Sequence, residues 1–191
     1  MLKELVTKNR SYRRFYETEK ISRETLLSLV DNARLSASGA NKQALRYFIS
    51  CDGKTNEKIF STLAWAGYLS DWKGPEPGER PAGYIILLQD ENFKCGTPAD
   101  SGIAVQSILL GAVEAGFGGC IVASVQRKRL QEALDIPPKY EILLVVALGK
   151  PRESVVIEEI EANGDIKYWR DEQRVHHVPK RKLEDIVINY K

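Results

Sequence analysis

Apolar residues fall along this chain in two rhythms: a three-and-four spacing that predicts helices, and short unbroken runs that predict buried strands. Leu26, Leu27, Leu29, Val30 and Ala33 recur at helical spacing behind Ser22, a good N-cap, with Glu24 in the first turn. Residues 47–51 predict a short strand, and a second helix is expected over roughly 56–66. Residues 84–88 are continuously apolar between Gly83 and Asp90, which fits a strand buried on both faces. The longest helical pattern runs over 98–115, through Ile103, Val105, Ile108, Leu109, Ala112 and Val113. It is apolar over more than one stripe, so it should pack on a sheet and on a further surface such as a second subunit. Residues 116–119 break it. A strand over 120–125, a short helix over 128–134 and a strand over 142–148 complete the pattern, ended by Gly149. Strands alternate with helices, so the class is mixed α and β with a central sheet between helices. The last forty residues are charged and poor in apolar runs, as expected of a tail from about 155 to 191 that wraps the body or a partner subunit.

A length of 191 residues suits one domain, and 43% hydrophobic with 28% charged residues suits a soluble one with a real core. The net charge of +2, from 28 basic and 26 acidic side chains, is no footprint for nucleic acid. No apolar stretch approaches the ~20 residues of a membrane span. The opening residues carry charge where a secretion signal needs an apolar run. Cys51, Cys95 and Cys120 are odd in number, far apart and without a CxxC pair, which suits a reducing cytoplasm and argues against a disulfide framework or a zinc site.

The familiar nucleotide and hydrolase signatures are missing: there is no GxGxxG, GxxxxGK[ST], GxSxG or HExxH. His176 and His177 are adjacent and would point apart, so a packing or surface role is expected of them rather than shared metal ligation. The first positive signal is Asn9-Arg10-Ser11-Tyr12-Arg13-Arg14-Phe15, where three guanidiniums and a hydroxyl could meet an anion. Short arginine clusters are more often solvated turns, so the segment alone does not decide the matter.

The segment resembles the Arg-Ser-x-Arg motif of the nitroreductase family. Ser36-Ala37-Ser38-Gly39-Ala40-Asn41-Lys42-Gln43 is similar to that family's Pro-Ser-x-x-Asn-x-Gln-Pro turn, and Asp100-Ser101-Gly102 to the start of its long dimer-forming helix. Gly116-Phe117-Gly118-Gly119-Cys120 resembles its glycine turn, Leu148-Gly149-Lys150-Pro151 its closing strand, and Pro179-Lys180-Arg181-Lys182 its basic cluster near the C-terminus. Order and spacing hold over essentially the whole chain. Asn9 stands where the family often has arginine, and Ala37 and Ala44 where it has proline.

The resemblance implies an α+β fold, a three-layer α/β/α sandwich with a mostly antiparallel central sheet, and FMN at a homodimer interface. It implies that Arg10, Ser11, Lys180 and Arg181 hold the FMN phosphate and that Arg13 lies by N1 and O2 of the ring. Ser38, Asn41 and Gln43 would contact the cofactor, and the backbone at Gly118 and Gly119 would approach it closely. The implied reaction is a ping-pong two-electron transfer from NADH or NADPH to a nitroaromatic or quinone-like acceptor, with no catalytic side chain. Dehalogenation, dehydrogenation, flavin cleavage or non-catalytic flavin binding on the same fold are the alternatives. Residues 65–81 combine large aromatics with prolines and glycines, too long and irregular for a plain connector. Either Trp65, Tyr68 and Trp72 form a lid in which one stacks an acceptor, or they pack the loop onto the body.

Overall fold

The computed structural model describes residues 1–93 and 97–188, so Cys95 and the last three residues of the tail lie outside it. The chain groups into two compact units, one of residues 1–65 and 74–152, the other of 66–73 and 153–191.

The first unit is built on four strands, β1 (Leu45–Ser50), β2 (Gly83–Asp90), β3 (Gly118–Val122) and β4 (Tyr140–Gly149). They lie in the order β1-β2-β4-β3, every neighbouring pair antiparallel. Side chains alternate across a strand, and here each parity has its own core. Ile85, Leu87, Val146 and Leu148 join Leu26 and Leu29 of α2 (Arg23–Leu35) and Val105 and Ile108 of α4 (Asp100–Glu114). Ile86, Leu88, Val145 and Ala147 join Ile59 of α3 (Gly53–Phe60) and Leu130 of α5 (Arg127–Ala133). Helices thus cover both faces, giving the expected three layers and antiparallel sheet. This also explains why the runs in β2 and β4 are apolar without interruption.

Local chemistry sets the helix limits. Ser22 Oγ accepts from the Thr25 N–H at 3.0 Å and starts α2. Asp52 does the same for the Thr55 N–H at 2.9 Å, so α3 begins before the expected residue 56. It also ends earlier, because Leu63 bridges Val125 and the Ala64 N–H donates to Ser124 O at 2.9 Å, drawing the backbone out of helical geometry. The uncovered apolar face of α4 is narrower than its pattern suggests. Among its large apolar residues only Ile103 is exposed. Alongside, α2 lies so close that a Cβ on Gly111 would sit 2.4 Å from Asn32 Nδ2. An N-terminal helix, α1 (Leu2–Lys8), carries a short stripe at Leu2, Leu5 and Val6 but has no buried residue, and the sequence pattern does not predict it.

The second unit has strands of its own. Strand β5 (Val155–Ile160) pairs in parallel with β7 (His176–Arg181), which pairs antiparallel with the two-residue β6 (Trp169–Arg170); α6 (Leu183–Ile186) follows. Its chemistry is polar. Arg170 donates to Glu153 at 2.8 Å, and Lys182 to Glu161 at 2.8 Å. His176 is buried against the Tyr168 ring. His177 faces the other way, with Nδ1 2.5 Å from Glu158 and Nε2 3.2 Å from Asp171. Its ring stacks on Trp169 at 3.9 Å, nearly parallel.

Candidate functional site

Residues 9–15 leave α1 and run along the free edge of β3. Ser11 bridges Gly119 in the parallel sense, the Tyr12 N–H donates to Gly119 O at 3.0 Å, and Phe15 bridges Pro151. This extended course gives the three guanidiniums three different fates. Arg10 donates from Nη2 to Val6 O at 2.8 Å, while its Nε is buried and has no hydrogen-bond partner. Burial lowers the Arg10 pKa from its ordinary value, though arginine stays charged. Arg13 is 8% exposed and donates to Ser11 O at 3.3 Å. Arg14 turns inward and grips Glu79 with both arms of its fork, at 2.7 and 2.5 Å. Arg14 is therefore no member of an anion site: the cluster of three is a cluster of two.

The glycine pair also has a structural cause. A Cβ on Gly118 would lie 2.5 Å from Tyr12 Cδ2 and 2.7 Å from Pro151 Cγ. On Gly119 it would lie 2.7 Å from both Leu109 Cδ2 and Ala147 O. Both residues are buried in β3 and must be glycine so that residues 9–15 and α4 can approach the sheet. Glycine here would be required with or without a ligand.

The second motif forms a 3-10 turn, Gly39–Asn41, with Ala40, Asn41 and Gln43 all left-handed at φ 50, 52 and 48°. Asparagine tolerates that region, but alanine and glutamine adopt it at a cost of about 1–2 kcal/mol each. The turn is tethered: the Gly39 N–H donates to Asp100 Oδ1 at 2.9 Å, and Asp100, 3% exposed, opens α4. The Gln43 N–H donates to Ser38 Oγ at 3.3 Å and Gln43 Nε2 to Asn41 O at 3.4 Å. Asn41 and Gln43 are exposed, and Ser38 and Gln43 line a cleft of about 160 Å³ with Tyr47 and Asp100. Asn9, where the family's motif often has arginine, donates from Nδ2 to Gln106 Oε1 of α4 at 3.4 Å.

The first unit thus ties four of the motifs in two pairs: residues 10–13 to the glycine pair through Ser11, and residues 38–43 to the start of α4 through Asp100. Lys180 and Arg181 are exposed on β7 of the second unit, where Arg181 donates to Ala162 O. The expected lid residues are divided between the two units. Trp65 lies against Phe60 at 5.9 Å between centroids, and a Cβ on Gly74 would be 2.6 Å from its Cδ1, so Trp65 is a packing residue of the first unit. In the second unit Trp72 carries the Arg170 guanidinium at 4.3 Å and Tyr68, 53% exposed, leans on Tyr168 at 5.0 Å. Sequence reasoning missed Glu79, Tyr12 and the tether at Asp100. Nothing near Glu79 marks it in the sequence, whereas Asp100 opens a motif already noted.

A profile of the nitroreductase family matches residues 6–150. Among solved structures, a nitroreductase family protein from Clostridium novyi NT is 22% identical, with a TM-score of 0.64 over 80% of this chain and 86% of that one. An FMN-dependent nitroreductase from Clostridium difficile R20291 is 19% identical, with a TM-score of 0.61 over 78% and 87%. A nitroreductase family protein from Streptococcus pneumoniae TIGR4 is 14% identical, with a TM-score of 0.64 over 81% and 92%. Likeness at these identities is likeness of fold.

Proposed function

Because the chain belongs to the nitroreductase family, we propose that it is an FMN-dependent NAD(P)H oxidoreductase that reduces nitroaromatic or quinone-like acceptors by ping-pong two-electron transfer. The observation that carries the reading is Arg10, whose Nε is buried without a partner among the described residues, next in sequence to the exposed Ser11. An unsatisfied buried donor costs about 1–3 kcal/mol, and an acceptor-rich group such as a phosphate would relieve it. The residues present therefore fit FMN. When bound, FMN supplies a two-electron carrier that nicotinamide reduces and an acceptor oxidises.

The chain's own part is to bind and to tune. Arg10 and Ser11 are the proposed phosphate donors, with Lys180 and Arg181 as further candidates on resemblance alone. Arg13, fixed by burial, would stabilise negative charge at the N1 and O2 edge of the ring. Ser38, Asn41 and Gln43 would donate to ring or ribityl oxygens, the tether to Asp100 holding their turn in place. Gly118 and Gly119 would offer backbone alone. Of the aromatic residues expected over the acceptor, Tyr68 is the exposed candidate.

A homodimer is part of the proposal: Leu2 and Val6 of α1, Leu27 and Leu35 of α2 and Ile103 of α4 are exposed apolar residues on the helices of one layer. A cytoplasmic setting suits Cys51 and Cys120, neither of which is in a disulfide among the described residues. Among the described residues no helix is long and apolar enough to cross a membrane. The test is an absorbance spectrum of the purified protein followed by anaerobic NADH or NADPH. Yellow protein that bleaches is the expected result; protein that refuses added FMN, or holds FMN that neither nicotinamide bleaches, would refute it.

A further inference from the structure

At the β1–β2 side of the first unit, the opposite sheet edge from Ser11 and Gly119, lies a second cleft of about 180 Å³. Its wall combines Lys20, Arg80 and Tyr84 with Glu17, Glu57 and Phe60. Tyr84 is 1% exposed, yet among the described residues its hydroxyl makes no hydrogen bond. The ring is sealed but the hydroxyl oxygen is not, so the hydroxyl opens on the cleft and is available to a group that enters it.

Arg80 is similarly under-used. Its guanidinium lies over the Phe60 ring at 4.4 Å, and its one ion pair among the described residues, with the exposed Glu57, is long at 3.9 Å. Its Nε is buried without a partner. Glu17, by contrast, is already engaged: one carboxylate oxygen accepts from the Gly78 N–H at 2.5 Å and the Arg80 N–H at 3.4 Å. The wall therefore has donors to spare, while one oxygen of its Glu17 carboxylate is already engaged. Burial also raises the Tyr84 pKa far above the ordinary phenol, so it presents a proton rather than a charge.

We propose that this cleft binds a small monocarboxylate, held by the Arg80 guanidinium and the Tyr84 hydroxyl with Lys20 at the rim. Two features favour a carboxylate over a phosphate dianion. Glu17 and Glu57 share the wall and repel a second negative charge, and the Phe60 and Pro81 surfaces suit a short apolar body. The cleft lies in a different part of the unit from Arg10, so the inference stands whether or not FMN binds there.

Sodium benzoate, titrated into the full-length protein and followed by amide chemical shifts, tests this, with Arg80→Gln and Tyr84→Phe as variants. Tyr84→Phe keeps the buried ring and so the fold. The expected result is saturable binding with a Kd near ~1 mM, shifts around Arg80 and Tyr84, and a loss of about tenfold in either variant, the worth of one charge-assisted hydrogen bond. No saturation, wild-type affinity in both variants, or inorganic phosphate binding as tightly as benzoate would each overturn the proposal.

Discussion

At Arg10 and Arg14, four positions apart in one short segment, the same side chain meets two environments. Arg10 keeps an unpartnered buried Nε; Arg14 is spent on Glu79. Arg10→Ala should therefore weaken FMN by at least tenfold, since a charge-assisted bond is worth about 1.5–3 kcal/mol, while leaving the melting temperature nearly unchanged. Equilibrium dialysis of the flavin decides it, and unchanged affinity would remove Arg10 from the site. Arg14→Ala should do the reverse. Its side chain and that of Glu79 are 10% and 12% exposed, and removing one partner of such a pair costs about 3–5 kcal/mol. Chemical denaturation should show that loss; a variant as stable as the parent would mean that Glu79 finds compensation elsewhere, for which Arg152, 3.8 Å away, is the candidate. Sequence could read the arginines but not this division, because Glu79 lies 65 positions away and no local pattern pairs it with Arg14.

At the scale of elements, legibility followed burial. Strands β2 and β4, sealed on both faces, declared themselves as apolar runs, and α2 declared itself through its cap and stripe. Helix α1 buries nothing, and β5 (Val155–Ile160), the two-residue β6 and β7 (His176–Arg181) neither run apolar without interruption nor alternate strictly, so the pattern did not mark them. What organises those last strands is electrostatic. Both nitrogens of His177 face carboxylates, Glu158 on β5 and Asp171 beyond β6, an arrangement only the doubly protonated ring satisfies fully. The Glu158 contact, then that of Asp171, raises the His177 pKa above the ordinary 6.5. The folded value is the higher one, so this contribution is complete below pH 6.5 and is lost as pH rises through the folded value. An NMR titration of the His177 ring should place its midpoint above 6.5, and amide exchange across β5 and β7 should quicken above it in the parent but not in His177→Asn. A midpoint at or below 6.5 would dismiss the clip.

For the whole molecule, the layered fold was legible because sheet and helices bury each other in sequence-periodic ways. Partnership was not: the 98–115 pattern suggested a broad uncovered face on α4, and α2 takes most of it. The proposed dimer then rests on apolar residues spread over α1, α2 and α4 rather than on one stripe. Sedimentation equilibrium should give twice the 21.5 kDa chain mass, and Ile103→Glu should shift it toward monomer without unfolding it. A monomer that binds FMN tightly at micromolar concentration would end the dimer proposal.

The course of residues 9–15 beside β3 bears also on colloidal behaviour. A sheet's outermost strand presents unpaired N–H and C=O groups that can recruit a second chain. Here the recruit is the chain's own beginning, docked through Ser11 and Tyr12 on Gly119 and through Phe15 on Pro151. Without it, Gly118–Val122 would stand as an open apolar ribbon, in which Ile121 is already 47% exposed. The segment proposed to offer Arg10 to an anion would thus also guard the sheet at Gly119 against growing into its neighbours. A chain lacking residues 1–15 should precipitate or stain with an amyloid dye where the parent remains clear in solution.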